Sequence, residues 1–276
     1  MTPSHSDVLQ GNCHCGCFRF QVSRSLDDVI TCACALCAKL GCIWLRTTAD
    51  TFAVVRDEGS TVEYCGVKFC GNCGTAVTGE HQIGTLRGQL LVNARAVQGF
   101  NPFKVGSSIE RISAAPEDRR ALCTGKSEPG VAPAKHHGSC HCGKVWVELL
   151  VDIADLEVKE DNCSSCARNA YIGIYPTKDQ VRIHGREETF EYLYGRRFNG
   201  AVHCKTCGVL VFNNVYGPPI SVFDRLPPER REVVLAVYWK NMAMQPLNVR
   251  ALDGVDLESL PVQRSDEGTA GYVVAD

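Results

Sequence analysis

Short cysteine clips that recur in one fixed order constrain this chain more than any other feature. Gly11-Asn12-Cys13-His14-Cys15-Gly16 returns as Gly138-Ser139-Cys140-His141-Cys142-Gly143, 127 residues later. Cys34-Ala35-Leu36-Cys37 is matched by Cys163-Ser164-Ser165-Cys166, and Phe69-Cys70-Gly71-Asn72-Cys73-Gly74 by His203-Cys204-Lys205-Thr206-Cys207-Gly208. Asn93-Ala94-Arg95-Ala96-Val97-Gln98-Gly99 comes back as Asn248-Val249-Arg250-Ala251-Leu252-Asp253-Gly254. Self-similarity of this kind is one supersecondary unit used twice. The sequence therefore divides into an N-terminal domain over 8–110, a linker over 111–137, a C-terminal domain over 138–258 and a polar tail over 259–276 that is expected to fray. The largest insertion in the second copy, 218–232, carries Pro-Pro pairs and charges and reads as a surface loop.

Inside each copy the apolar runs are short, alternating or β-branched, and bounded by glycines, as in Cys17 to Val22, Val181 to His184 and Val209 to Phe212. These are strand signals, so the fold class is mainly β, antiparallel, twice over. Helices should be few and short, one after each middle cysteine cluster and one in the insertion.

The chain has 17 cysteines, an odd number, and its opening residues lack a positive segment followed by an apolar one. The protein is therefore expected in the reducing cytoplasm, where closely spaced cysteines point to metal ligation rather than disulfides. No apolar run reaches membrane length. The 29 Lys+Arg and 31 Asp+Glu are scattered without like-charge blocks, so no nucleic-acid partner is expected.

Zinc prefers thiolate and imidazole ligands in tetrahedral geometry, usually from two short clips separated by a loop. Cys13 and Cys15 with Cys70 and Cys73 supply four thiolates in the first copy, and Cys140, Cys142, Cys204 and Cys207 do so in the second. Four protein ligands leave no position for substrate, so both sets are structural. His14 and His141, each between two ligands of its clip, should point away from the metal. The middle cluster of the first copy, Cys32, Cys34 and Cys37, offers three thiolates and reads as an open, reactive zinc site. The competing reading is a structural site completed by Cys42, Cys65 or a distant histidine. In the second copy Asp161 stands where the first thiolate would be, beside Cys163 and Cys166, so that centre is altered or empty. Two zincs are expected in the first copy and one or two in the second.

At these residues the chain resembles the glutathione-dependent formaldehyde-activating enzyme family, which includes the centromere protein V type proteins. The likeness rests on the G-x-C-H-C-G start, the CxCxxC middle, the F-C-x-x-C-G knuckle and the terminal N-x-R segment. It implies two Mss4-like β-tent zinc domains in tandem, a structural zinc at Cys13, Cys15, Cys70 and Cys73, and a catalytic-type zinc at Cys32, Cys34 and Cys37. It also implies a carbon–sulfur lyase type of reaction in which glutathione, as co-substrate, condenses with formaldehyde. A duplicated chain with Asp161 in a cysteine position departs from that pattern. The expected partner is accordingly a small-molecule thiol adduct or carbonyl compound; a zinc-dependent tailoring enzyme of a specialised metabolite and a non-catalytic binding module are the alternatives. Arg95 and Arg250 read as strand-edge ion pairs more readily than as contacts for a glutathione carboxylate.

Overall fold

The structure, a computed structural model, describes residues 8–81, 84–105, 109–115, 133–268, 272 and 274. Its first half runs β1 (Val8–Asn12), β2 (Phe18–Ser23), β3 (Val29–Cys32), helix α1 (Ala35–Leu40), β4 (Trp44–Arg46), β5 (Phe52–Asp57), β6 (Thr61–Tyr64), β7 (Val67–Cys70), β8 (Ala76–Glu80), β9 (Leu90–Asn93) and β10 (Glu110–Ile112). The second half runs β11 (His136–Ser139), β12 (Trp146–Leu149), β13 (Val158–Asp161), α2 (Ser164–Asn169), β14 (Ile172–Ile174), β15 (Val181–His184), β16 (Thr189–Leu193), β17 (Asn199–Cys204), β18 (Leu210–Val215), α3 (Pro228–Met242), β19 (Leu247–Asn248) and β20 (Gln263–Ser265).

Each half is a three-stranded sheet beside a seven-stranded one, and the strand orders coincide. They are β1-β2-β5 and β10-β3-β4-β9-β8-β7-β6 in the first half, and β11-β12-β15 and β20-β13-β14-β19-β18-β17-β16 in the second. The mainly β class therefore holds, with α1 and α2 each one short helix after a middle cysteine cluster. Cys34 caps α1 by accepting at sulfur from the Cys37 amide, and Gly41 ends it in the left-handed region. The insertion is more ordered than a loop: α3 is a 15-residue helix on the surface, with Val233, Val237 and Trp239 exposed.

Two boundaries differ from expectation. The tail past Leu260 supplies β20, which pairs parallel with β13, and Arg264 Nε donates to Glu160 Oε2 at 3.0 Å. Tyr272, further along, stacks on the His14 ring. The linker likewise begins as β10, parallel to β3. Both segments are polar, which hid them, yet each closes the free edge of a seven-stranded sheet. The stretch 116–132, at the middle of the linker, lies outside the described residues.

The halves pack face to face through reciprocal contacts. Arg95 donates to Gly41 O (2.7 Å) and Ala167 O (3.0 Å), and Arg250 mirrors it on Ala170 O (2.8 Å) and Ala38 O (3.5 Å). Lys39 Nζ reaches Ser139 O at 2.9 Å, while Arg168 Nε reaches Asn12 O at 3.2 Å. His14 Nδ1 lies 2.8 Å from Tyr192 Oη, and His141 Nδ1 lies 3.0 Å from Tyr64 Oη. Phe69 sits over Gly208 and His203 over Gly74, glycines whose left-handed φ and absent side chain both matter, because a Cβ would lie 2.6 and 2.1 Å from those rings. Patch i meeting patch j while j meets i is the signature of a two-fold relation. One apolar cluster runs across this seam, joining Trp44 and Phe69 to Val147, Ile174 and Phe212. Arg95 and Arg250 are thus seam residues that bond carbonyls, not strand-edge ion pairs.

Candidate metal centres

Two thiolates on one zinc at about 2.3 Å sit about 3.8 Å apart in tetrahedral geometry. Cys13, Cys15, Cys70 and Cys73 come together, with Cys15 Sγ 3.5 Å from Cys13 and 3.6 Å from Cys70. Cys140, Cys142, Cys204 and Cys207 repeat this, with both corresponding separations at 3.5 Å. In each set a backbone amide faces the first sulfur: Phe18 N to Cys13 and Val145 N to Cys140, both at 3.3 Å. Such amide donors stabilise thiolate ligands, so the donor set fits a thiophilic divalent metal such as zinc. Hydrogen bonding from Cys13 holds Cys70 far below the usual thiol range, and burial pushes Cys73 well above it. A buried cluster of this kind carries its full charge only with a cation inside it. His14 turns outward, as expected, with Nε2 3.0 Å from Ser164 Oγ.

The middle clusters differ from each other. Cys32, Cys34 and Cys37 converge at the start of α1, and a fourth donor joins them: His81 Nε2 lies 3.5 Å from Cys37 Sγ and 3.9 Å from Cys34 Sγ. All four residues are buried. Hydrogen bonding to Cys32 raises the His81 imidazole to about 10, which reflects the negative charge gathered on the three sulfurs. Trp44 Nε1 donates to Cys37 Sγ at 3.2 Å and the indole, fully buried, covers the centre over Gly79. Cys42, one of the spare ligands considered, is buried but outside the set, and Cys65 is exposed. The expected open site is therefore a four-donor one; His81 follows directly on β8, far from the clip in sequence, and nothing local in the sequence marks it.

In the second half Asp161, Cys163 and Cys166 also meet, with Cys163 Sγ 3.0 Å from Cys166 Sγ and the Cys163 amide donating to Asp161 Oδ1 at 2.5 Å. This set has three donors among the described residues, and all three are partly exposed. It opens on a cavity of about 220 Å³. Period-two alternation builds that cavity: Lys159 and Asp161 on β13 point to the same face as Tyr171, Gly173 and Tyr175 around β14, with Lys159 paired to Gly173. An added Cβ on Gly173 would lie 2.7 and 2.8 Å from the Tyr171 and Tyr175 hydroxyls. The missing side chain lets two phenols converge over the strand. Tyr194 and Asn213 complete the wall. Burial pushes the Tyr171 and Tyr175 phenols upward and Tyr194 up to about 12. Tyr171 Oη is buried beside the Asn213 amide and the Tyr175 hydroxyl, on the wall of the cavity. The Tyr-x-Gly-x-Tyr alternation is the sequence signal for these residues.

No protein-family model matches the chain. A crystal structure of a Rhodobacter sphaeroides protein is similar to it at 26% identity, covering 47% of this chain and 99% of that one, with a TM-score of 0.33. Among the described residues no helix is long and apolar enough to cross a membrane.

Proposed function

We propose that the protein is a zinc-dependent enzyme acting on a thiol adduct of formaldehyde or another small carbonyl compound, as a tandem, β-tent member of the formaldehyde-activating family its motifs resemble. We assign the reactive centre to Asp161, Cys163 and Cys166 in the C-terminal half, and a structural role to Cys32, Cys34, Cys37 and His81. One observation carries the reading: among the described residues, the partly exposed three-donor set is the middle centre that lines a cavity. Bound there, zinc would hold a thiolate or polarise a carbonyl oxygen and lower the pKa of the group it holds. Around it the chain's own groups have separate tasks. Tyr171 and Tyr175, kept protonated by burial, donate from Oη to an oxygen or sulfur that gains charge. Their rings and Tyr194 exclude water, and Lys159 supplies one cation at the rim.

That single cation favours a second, narrower reading. Glutathione carries two carboxylates, whereas the cavity wall offers one lysine among largely aromatic and amide groups. A smaller, less charged thiol or carbonyl substrate, as in a tailoring enzyme, suits this lining better.

The test is metal content and turnover together, in the full chain and in Cys166→Ser and Cys34→Ser. Formaldehyde labelled with ¹³C is followed by NMR with glutathione or with a small neutral thiol. The expected result is loss of one zinc in each variant, with turnover lost in Cys166→Ser and kept in folded Cys34→Ser. Turnover that survives Cys166→Ser but not Cys34→Ser would return the reactive centre to the first half. Absence of turnover in the wild type with both thiols would favour a binding module.

A further inference from the structure

A second cavity, of about 510 Å³, lies on the opposite face of β13 from the tyrosine pocket, at the seam between the halves. Its lining obeys the two-fold relation. Arg95 and Arg111 come from the first half and Arg250 and Arg264 from the second. Arg111 pairs across the ladder with Thr31, as Arg264 does with Glu160. Glu160 and Thr31 are therefore equivalent positions, and only one of them carries a carboxylate.

The charges do not balance inside this cavity. Glu160 Oε2 accepts from Arg264 at 3.0 Å, and Glu258 pairs with Arg111 at the surface, where both side chains are about two-thirds exposed. Among the described residues, neither the buried Arg95 nor the partly buried Arg250 has a carboxylate hydrogen-bonded to it. Arg95 and Arg250 each use Nε and Nη1 on backbone carbonyls, and neither Nη2 takes a protein acceptor among the described residues. Burial lowers Arg95 to about 10, with the charge of Arg250 acting in the same direction and the Glu160 carboxylate against it. Like charges facing one another at a partly buried seam are costly unless a counter-ion joins them, and guanidinium forks match tetrahedral oxyanions.

We propose that this seam cavity binds a small oxyanion of the sulfate or phosphate class, on the Thr31 side, between Arg95, Arg111 and Arg250. The anion supplies the charge that Glu160 supplies on the other side and ties the two halves together. The site is separate from the metal centres and independent of the reaction assigned to them.

The experiment is thermal unfolding and calorimetric titration of the zinc-loaded full chain with sodium sulfate, against sodium chloride at matched ionic strength. Arg95→Ala removes two buried hydrogen bonds of the seam and threatens the fold itself, so the variants are Arg111→Gln, at an exposed position, and Thr31→Glu, which installs the missing carboxylate. Wild type is expected to bind sulfate saturably with a rising unfolding midpoint. Arg111→Gln should weaken binding about tenfold through loss of one charge-assisted contact. Thr31→Glu should abolish sulfate binding and raise the midpoint in sulfate-free buffer. A sulfate response that is unsaturable and the same in all three proteins is a general salt effect and overturns the proposal. So does saturable binding that Thr31→Glu leaves unchanged.

Discussion

The two halves share one chain path, one strand order and one tetrathiolate set, yet they treat the same central spot in opposite ways. Trp44 in β4 pairs with Ile30 and with Asn93, and Gly173 in β14 pairs with Lys159 and with Asn248. These are equivalent positions. In the first half the indole fills the space over Gly79 and bonds a cluster sulfur. In the second the side chain is missing, the facing position is Asn213, and the space is a cavity. The fourth donor follows the same division: by strand register, the place of His81 is taken by Val215. A fuller ligand set thus belongs to the better sealed centre. Counting cysteines points to the first half as the reactive one, whereas coordination chemistry gives a closed set to structure and an open set to ligands.

The largest effect should come where the halves agree. Cys70→Ser and Cys204→Ser each remove one thiolate from a buried tetrathiolate set. Since structural zinc contributes on the order of 10 kcal/mol in small zinc domains, each substitution should lower stability by at least about 5 kcal/mol and release one zinc. Denaturant unfolding with parallel zinc counting checks this. A loss confined to one half would break the equivalence of the two sets.

Next is Trp44→Ala, expected to cost about 3–5 kcal/mol because a fully buried indole leaves a cavity over Gly79. If denaturant unfolding shows a cost below about 1 kcal/mol, the indole does not seal the first centre as described. His81→Ala should act on the metal more than on the fold. Removing one of four donors is expected to weaken zinc at that centre at least as much as the 10- to 100-fold typical of lost outer-sphere partners. Competition with a colorimetric chelator reads it as one fast-releasing zinc per chain. Unchanged release would mean that His81 is not a ligand and that the first centre stays open.

How far the sequence carried this picture depends on chemistry. Cysteine clips are local, so the two tetrathiolate sets and the clip residues of the middle sets were legible, as were the strands and the two short helices that follow those sets. His81 was not, because it joins its cluster across a sheet, 44 residues from Cys37. The seam was invisible for a different reason. Lys39, Arg95, Arg168 and Arg250 are long cations that ordinarily face water, yet here they bond backbone carbonyls of the other half, and no composition rule separates the two uses. The polar tail misled likewise, since an edge strand buried on neither face has no apolar alternation to display.

The smallest substitution asks whether the missing side chain at Gly173 defines the cavity. Gly173→Ala adds one Cβ to a central strand whose neighbours are the Tyr171 and Tyr175 hydroxyls. In a strand interior alanine is favoured over glycine by a fraction of a kcal/mol, but here the phenols must move away from a contact under 3 Å. The clash outweighs the preference, so a net loss of about 1 kcal/mol is expected, together with a cavity whose two donors no longer converge. Turnover of the labelled carbonyl substrate should fall while zinc content stays at its wild-type value. A protein that is stabilised by the alanine and retains full turnover would show that the phenols have room to spare, and the contrast between Trp44 and Gly173 would then concern packing alone.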